Sequence, residues 1–237
     1  MFKKKISRDH FLYKPYLFYN LYFHHKCFIK RDTYSQSGED LFINSFFKNK
    51  QRGVYVDIGC FHPVLYSNTA MLYDKGWKGI NIDINQTSID LFNIIRKRDK
   101  NYCVAISNKN KDVISFIDNN FSPINSIDKN FFEITSSNLS EGNHTKKEIK
   151  AFKFLDFLRN KDIELDYIDF LNIDAEGHDF EILQGIDFQK IKIKLICVEM
   201  YYETNKVSKL KFINHLKEFG YRYLNSIGDN GFFEKND

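Results

Sequence analysis

The chain has few of the residues that mark several specialised protein classes. Its 237 residues include only four cysteines, three prolines and 11 glycines. The low proline and glycine content excludes collagen-like and low-complexity architectures. The cysteines form no Cys-x-x-Cys pair, so we expect free thiols in a reducing compartment, not a disulfide framework or a zinc site.

The N-terminus lacks a long hydrophobic run. Its most apolar stretch, residues 11–23, is interrupted by Lys14, Pro15 and Asn20, whereas a membrane-spanning helix needs about 20 apolar residues. The small-residue cleavage site of a signal peptide is also missing. We therefore expect a cytoplasmic protein.

The composition is that of a globular protein. Hydrophobic residues make up 43% and charged residues 28%, which is typical of soluble domains. The 24 Phe and 14 Tyr residues give too much apolar surface for extensive disorder. At about 150 residues per domain, this length predicts one main domain. We assign it to residues 34–237 and treat residues 1–33 as an N-terminal arm.

Positive charge is concentrated in the arm. Residues 1–31 contain eight basic residues and one acid, whereas the remaining chain contains 27 basic and 30 acidic residues. A slightly acidic main domain is a poor match for a phosphate backbone, so we expect no nucleic-acid partner. The arm is also rich in aromatic residues. Residues 1–31 either contact an anionic membrane peripherally or dock on the domain or a second subunit.

Five short, nearly continuous apolar runs are typical of strands that are covered on both faces of a parallel sheet. Helix signals lie between them, including capping residues at Ser37, Ser67 and Thr87. This alternation predicts an α/β fold with right-handed crossovers. The five predicted strands are residues 53–57, 79–83, 102–107, 167–174 and 194–199.

The third and fourth of these strands are separated by an insertion. It contains a strand-like stretch at 112–118, a polar region at 119–147 and a helical pattern at 154–160. A long insertion at the rim of a sheet is typical of a lid or a substrate loop. The chain is predicted to end with a helix at about 207–219 and a hairpin of residues 221–225 and 231–234.

Four of the five predicted strands end in an acid, namely Asp57, Asp83, Asp174 or Glu199. In open α/β sheets, ligands bind at the carboxyl ends of the strands. Such acids could bind ribose hydroxyls, a cation, a metal ion or a proton, and the alternative is that they cap the following helices.

The turn after the first strand, DIGCFHP at residues 57–63, contains only Gly59. It lacks the Gly-x-Gly-x-x-Gly fingerprint, and the chain has no P-loop, so the turn favours a ligand without a pyrophosphate. Asp57, two residues before Gly59, suits a cationic ligand, and Asp83 lies where a carboxylate could accept both hydroxyls of a ribose. An adenosine group that carries positive charge describes S-adenosylmethionine.

Five segments together resemble the FkbM-type methyltransferases: YSQSGED at 34–40, DIGCFHP at 57–63, SNT at 67–69, GWKGINID at 76–83 and DFLNIDAEGH at 169–178. The resemblance runs from about Tyr34 to Gly220. It implies a class I methyltransferase fold, which we expect to contain a seven-stranded, mostly parallel sheet with helices on both faces. It also implies S-adenosylmethionine as methyl donor and, commonly, a sugar or polyketide hydroxyl as acceptor.

The resemblance also implies positions for the cofactor. Asp57 and Gly59 would line its methionine end, and Asp83 would bind its ribose. Gln36 and Glu39 either close over the cofactor or cap the N-terminal helix. The residues expected beside the adenine are Ala105, Ile106 and Ser107.

On the acceptor side, we expect His178 to act as the general base, because an imidazole titrates near neutral pH. Asp174 and Glu176 would orient His178 or the acceptor. The alternative for His178 is a helix-capping role. A Mg²⁺ ion held by Asp174 and Glu199, with or without Glu176, is a further alternative, which we do not favour because these carboxylates do not match a fixed ligand spacing.

These features predict a cytoplasmic, and alternatively membrane-peripheral, S-adenosylmethionine-dependent O-methyltransferase. The resemblance implies a small-molecule or lipid-linked sugar in surface-glycan biosynthesis as the acceptor, which the insertion at 119–147 would select. The alternative is a non-catalytic module that keeps the fold and binds a glycan-assembly partner. A nicotinamide oxidoreductase is disfavoured because the glycine fingerprint is missing.

Overall fold

A large, mostly parallel sheet forms the centre of the molecule, as predicted. The structure is a computed structural model that describes residues 6–117, 121–123, 125–136, 145–200 and 207–236. The described strands are β1 (Val54–Ile58), β2 (Lys78–Asp83), β3 (Lys100–Cys103), β4 (Ala105–Ile106), β5 (Lys111–Ile117), β6 (Thr145–Phe152), β7 (Tyr167–Ile173), β8 (Lys192–Glu199), β9 (Tyr221–Ile227) and β10 (Asn230–Lys235). Seven of them form the large sheet in the order β3-β2-β1-β7-β8-β10-β9.

The final hairpin supplies the antiparallel strand of this sheet. β10 pairs antiparallel with both β8 and β9, whereas the pairs from β3 across to β8 are parallel. The prediction of an α/β fold is confirmed. The described helices are α1 (Tyr13–Phe18), α2 (Glu39–Phe46), α3 (Ala70–Asp74), α4 (Gln86–Ile95), α5 (Lys129–Ser136), α6 (Phe154–Asn160), α7 (Asp179–Gly185) and α8 (Lys209–Glu218).

Helices cover both faces of the large sheet, because successive side chains of its central strands point to opposite sides. Val56 and Ile58 of β1 face one core, which contains buried residues of α6, α7 and α8. Tyr55 faces a second core, which contains Ile43 of α2 and Leu72 of α3. This two-sided burial explains why the central strands are nearly continuous apolar runs.

The prediction of one strand at 102–107 is wrong. β3 ends at Cys103 and belongs to the large sheet, whereas β4 pairs with β6 in a small three-stranded sheet of order β4-β6-β5. The chain leaves the large sheet at Val104, whose N–H donates to the carbonyl of Asp83 at the end of β2. β6 begins inside the stretch that we read as polar, and most of its first residues are exposed lysines and acids.

The prediction that Ser37 caps the first helix of the domain is also wrong. α2 begins after Gly38, which adopts a left-handed φ of 91°. The hydroxyl of Ser35 accepts hydrogen bonds from the N–H groups of Gly38 and Asp40, at 3.1 and 3.3 Å. The carboxylate of Asp40 accepts in turn from the N–H of Tyr34. The cap is therefore two residues earlier than predicted, because the left-handed glycine turns the chain before the helix.

The N-terminal arm packs against α4. Its helix α1 continues into a π-helical turn, Tyr19–His24. Tyr13, Leu17 and Leu21 are buried with Leu91 of α4, and the Tyr13 hydroxyl lies 2.9 Å from the carboxylate of Asp90. None of the helices in the described residues combines the length and apolarity needed to cross a bilayer.

Candidate active site

A cleft opens at the carboxyl ends of the parallel strands. Its empty space, including the part open to solvent, is about 800 Å³. Its lining combines apolar side chains with a few convergent polar groups, as small-molecule sites do. The lining comes from the ends of β1 and β2, from β4, from the loop after β7 and from the insertion. Since β2 and β7 lie on opposite sides of β1, the cleft occupies the topological switch point, where ligands bind in open α/β sheets.

Gly59 forms the tight turn at the end of β1. Its φ is +83°, and a Cβ built on it would lie 1.6 Å from the carbonyl oxygen of Asp174. Its N–H donates to the carbonyl of Ile82 at 2.9 Å. Only glycine fits here, because a side chain would meet backbone from the neighbouring strand.

Asp83 lies at the cleft floor, where β2 ends. One carboxylate oxygen accepts from the N–H of Phe61 at 2.9 Å, and the other accepts from the N–H of Asn85 at 2.7 Å. Burial raises the pKa of Asp83 to about 6, against the lowering effect of these hydrogen bonds. Each oxygen keeps a second lone pair, so the ionised group can still accept from a ligand in the cleft.

Asp57 does not line the cleft. Its carboxylate accepts from the hydroxyl of Thr69 at 2.6 Å and from the side-chain amide of Asn172 at 2.9 Å, and burial raises its pKa. Thr69 itself accepts from the buried guanidinium of Arg96 at 2.7 Å. Asn68 also turns inward, because its amide donates to Asn172 at 2.9 Å. This network supports the turn from the core side.

Gln36 and Glu39, the two cofactor candidates from the N-terminal segment, occupy different environments. Gln36 lines the cleft. Glu39 is buried outside the lining, where its carboxylate accepts from the N–H of Ser37 at 2.8 Å and from the side chain of Asn230 at 3.2 Å. Contact of Glu39 with a cofactor therefore stays a prediction, and the observed contacts are those of a residue that joins α2 to the hairpin.

Ala105 and Ile106 line an apolar wall of the cleft, together with Val104 and Ile182. Ser107 does not line it. The Ser107 side chain is buried, and its hydroxyl lies 2.9 Å from Nε2 of His178.

His178 is mostly buried but lines the cleft. Burial lowers its pKa to about 4, and the positive charge of Lys111 contributes in the same direction. The imidazole is therefore neutral at pH 7. His178 precedes α7 but makes no side-chain capping hydrogen bond to it. Its Nδ1 lies 4.0 Å from the carboxylate of Glu181, which is beyond hydrogen-bond distance.

Two further acids line the cleft beside His178. Asp174 and Glu176 follow β7, and among the described residues neither forms a hydrogen bond to His178. Burial raises the pKa of both carboxyl groups, and the charges of neighbouring acids, including Asp179, raise them further. Both carboxyl groups are therefore easier to protonate than an exposed acid.

A cluster of three acids includes only part of the predicted metal set. One carboxylate oxygen from each of Asp174, Asp179 and Glu199 lies within 4.8 Å of the others, whereas Glu176 is not in this cluster. Asp179 already accepts from the N–H groups of Ala175 and Gly177 at 2.7 and 3.2 Å. Part of its capacity as a ligand is thus used to shape the loop.

Comparison with known proteins identifies the family. The model of the methyltransferase FkbM domain matches residues 53–223. The chain belongs to the FkbM methyltransferase family. No curated protein sequence showed a significant match to it. The matched region of this FkbM domain includes every strand that contributes to the cleft, and the YSQSGED segment at 34–40 precedes it.

Several cleft residues of the FkbM domain were not anticipated. Phe61, Tyr66 and Glu176 all have positive φ, at 38°, 50° and 52°, and Phe61 and Tyr66 had no predicted role. Strained backbone of this kind is concentrated at functional sites, but φ cannot be read from a sequence. The insertion contributes Ser122 and Asn125 to the lining. Asp179 could have been found, because an acid in the first turn after a Gly-His pair is a typical helix-start signal.

Proposed function

We propose that this FkbM domain transfers a methyl group from S-adenosylmethionine to a sugar hydroxyl in surface-glycan biosynthesis. One observation supports it above all: the buried carboxylate of Asp83 lies at the floor of a switch-point cleft with an apolar wall beside it. The seven-stranded order, with one antiparallel strand in the final hairpin, also supports a class I methyltransferase fold.

The side chains and backbone groups that line the cleft suit the chemistry of the cofactor. Asp83 would accept hydrogen bonds from the ribose hydroxyls, and Ala105 and Ile106 would flank the adenine. Gly59 would allow the methionine end to approach the backbone. Asp57 would act at longer range, since its carboxylate is already bonded to Thr69 and Asn172.

S-adenosylmethionine supplies the electrophilic methyl group when it is bound. The contribution of His178 is to accept the proton of the acceptor hydroxyl through its neutral imidazole. Burial holds the pKa of His178 at about 4, below the near-neutral value expected from the sequence, so His178 is a weaker base than predicted and its contribution depends on its position beside the acceptor. When Nε2 carries the ring proton and donates to Ser107, the lone pair of Nδ1 is free to accept it. In this tautomer Ser107 accepts from Nε2, and the new methyl ether leaves with its oxygen uncharged.

The sugar acceptor would bind between the aromatic and insertion sides of the cleft. The rings of Phe61 and Tyr66 lie nearly parallel, with centroids 6.3 Å apart, and Tyr66 is exposed. Ser122 and Asn125 offer polar groups from the insertion. Apolar ring faces combined with a few polar groups match the two kinds of surface of a sugar.

Calorimetric titration of S-adenosylhomocysteine tests the cofactor site. We expect binding to the wild-type protein and at least tenfold weaker binding (about 1.5–3 kcal/mol) to Asp83→Asn, which keeps the size of the side chain but loses its charge. Wild-type affinity should also fall as the pH decreases through about 6, because protonation of Asp83 removes an acceptor. Asp83→Asn should lack this pH dependence.

Asp156→Asn is the matched control, since Asp156 is a partly exposed acid outside the cleft lining. It should bind as the wild type does. No binding to the wild-type protein between pH 6 and 8 would reject the methyltransferase proposal and favour the non-catalytic module, for which substitution of Asp83 would leave binding of a protein partner unchanged.

Substitution of His178 separates chemistry from cofactor binding. His178→Gln should lower methyl transfer from labelled S-adenosylmethionine to nucleotide-linked and lipid-linked sugars about a hundredfold or more, because the general base is lost. Affinity for S-adenosylhomocysteine should stay within about threefold of the wild type. Wild-type transfer rates in this variant would assign His178 a structural role only.

A further inference from the structure

The outer surface of the N-terminal arm is covered with exposed aromatic residues. Phe11, Phe23 and Phe28 expose 82%, 73% and 68% of their surface, and Phe18 and Tyr19 are about half exposed. We call these five residues the aromatic face. Large apolar side chains gathered on one surface mark an interaction site more often than isolated ones do.

The opposite side of the same segment is already buried. Tyr13, Leu17 and Leu21 pack against α4, so the segment is apolar on both sides. A helix that is hydrophobic all round is normally covered all round. Phe18 stacks at 5.8 Å on Tyr22, which itself packs against the buried cluster, and Tyr19 stacks on Phe23 at 6.1 Å.

Exposed positive charge accompanies the aromatic face. Lys14, Lys26 and Lys30 are exposed, and the only acid between residues 6 and 31 is Asp9. Arg8 is also basic, but its charge is paired with that of Asp90. The first five residues of the chain add three lysines.

This combination selects one kind of partner. A symmetric contact between two copies uses the same surface of each copy. It would therefore bring two lysine-rich surfaces together, which is unfavourable because like charges repel. An anionic lipid surface instead attracts the lysines and accepts aromatic rings at the level of its headgroups. We propose that the aromatic face binds the surface of an anionic membrane peripherally.

The arm adjoins the cleft on two sides. Tyr16 packs against Phe121 with ring centroids 5.0 Å apart, and His25 packs edge-on against His62 at 5.2 Å. The next residue after Phe121 and the residue before His62 both line the cleft. Membrane binding would therefore bring the cleft close to lipid headgroups. If the proposed function is correct, this location suits a lipid-linked sugar.

Cosedimentation of the full-length protein with vesicles tests the proposal. We expect at least tenfold stronger binding to phosphatidylcholine vesicles that contain phosphatidylglycerol than to pure phosphatidylcholine vesicles. Lys14→Glu with Lys26→Glu and Lys30→Glu should lower that binding at least a hundredfold, since the loss of each basic residue near the surface costs about fivefold and the new acids add repulsion. Phe18→Ser with Phe23→Ser should lower binding to both kinds of vesicle at least tenfold.

Leu210→Ser and Lys211→Glu on α8 are the matched controls, because Leu210 is 67% exposed and Lys211 is exposed outside the arm. They should bind as the wild type does, and all variants should keep the wild-type thermal midpoint and affinity for S-adenosylhomocysteine. Two results would overturn the proposal: vesicle binding that is absent or insensitive to the arm substitutions, or lipid-free dimerisation that the same substitutions abolish. Neither depends on the cofactor, so the proposed function could fail while membrane binding holds.

Discussion

Gly59→Ala should lower the free energy of unfolding by about 4 kcal/mol or more and abolish binding of S-adenosylhomocysteine. The added Cβ would lie 1.6 Å from the carbonyl oxygen of Asp174 and 2.6 Å from its carbonyl carbon. Both atoms are backbone, so a side-chain rotation cannot relieve the overlap. The strands β1 and β7 would have to separate at the end where they form the cleft. Urea unfolding and calorimetry measure the two effects.

Gly76→Ala is the matched control for this substitution. Gly76 has a similar φ of +93°, but no atom lies within 4 Å of a Cβ built on it. This variant should lose only about 1–2 kcal/mol, the cost of placing a side chain at positive φ, and should bind S-adenosylhomocysteine normally. Equal losses of stability in the two variants would show that φ alone, and not the contact with β7, requires glycine at position 59.

The sequence predicts the central strands of the large sheet well, because strands that are buried on both faces appear in a sequence as nearly continuous apolar runs. β1, β2, β7 and β8 each appear as an apolar run, and their observed bounds differ from the predicted ones by at most two residues. The helix at 154–160 also agrees with α6. β6 was missed since one side of it faces solvent and its first residues are lysines and acids.

The candidate site was only partly predictable for a different reason. Asp83 and Gly59 lie at strand ends, so topology alone brings them to the cleft. Asp57 has the same kind of position, yet its carboxylate is committed to Thr69 and Asn172, and no pattern in the sequence shows which way a strand-end acid will turn. The contact between Ser107 and His178 joins residues 71 positions apart, so local signals could not reveal it.

The acids at the strand ends consequently divide by environment. Backbone N–H groups hold Asp83 at the cleft floor, whereas a threonine and an amide hold Asp57 on the core side. Asp174 has no comparable donors among the described residues, and nearby acids raise its pKa. Residues of one type at equivalent positions therefore have different hydrogen-bond partners and different electrostatic surroundings.

Arg96→Met should destabilise the fold by about 3–5 kcal/mol, because it leaves a buried polar network without its cation. Arg96 is fully buried, and its guanidinium donates to the carbonyl of Pro63 and to the hydroxyls of Ser67 and Thr69 at 2.6–3.1 Å. The hydroxyl of Thr69 in turn donates to the carboxylate of Asp57, so the hydrogen-bond network runs from Arg96 to Asp57. Methionine restores the volume but none of the donors.

The same substitution should also weaken binding of S-adenosylhomocysteine, since Arg96 ties down the turn that carries Phe61 and Tyr66 into the cleft. Arg98→Met is the control. Arg98 lies over the ring of Tyr73, as Arg96 does, but it is exposed, so its loss should cost less than about 1 kcal/mol. If urea unfolding gave Arg96→Met and Arg98→Met the same stability, the buried network could not be what holds the cleft wall in place.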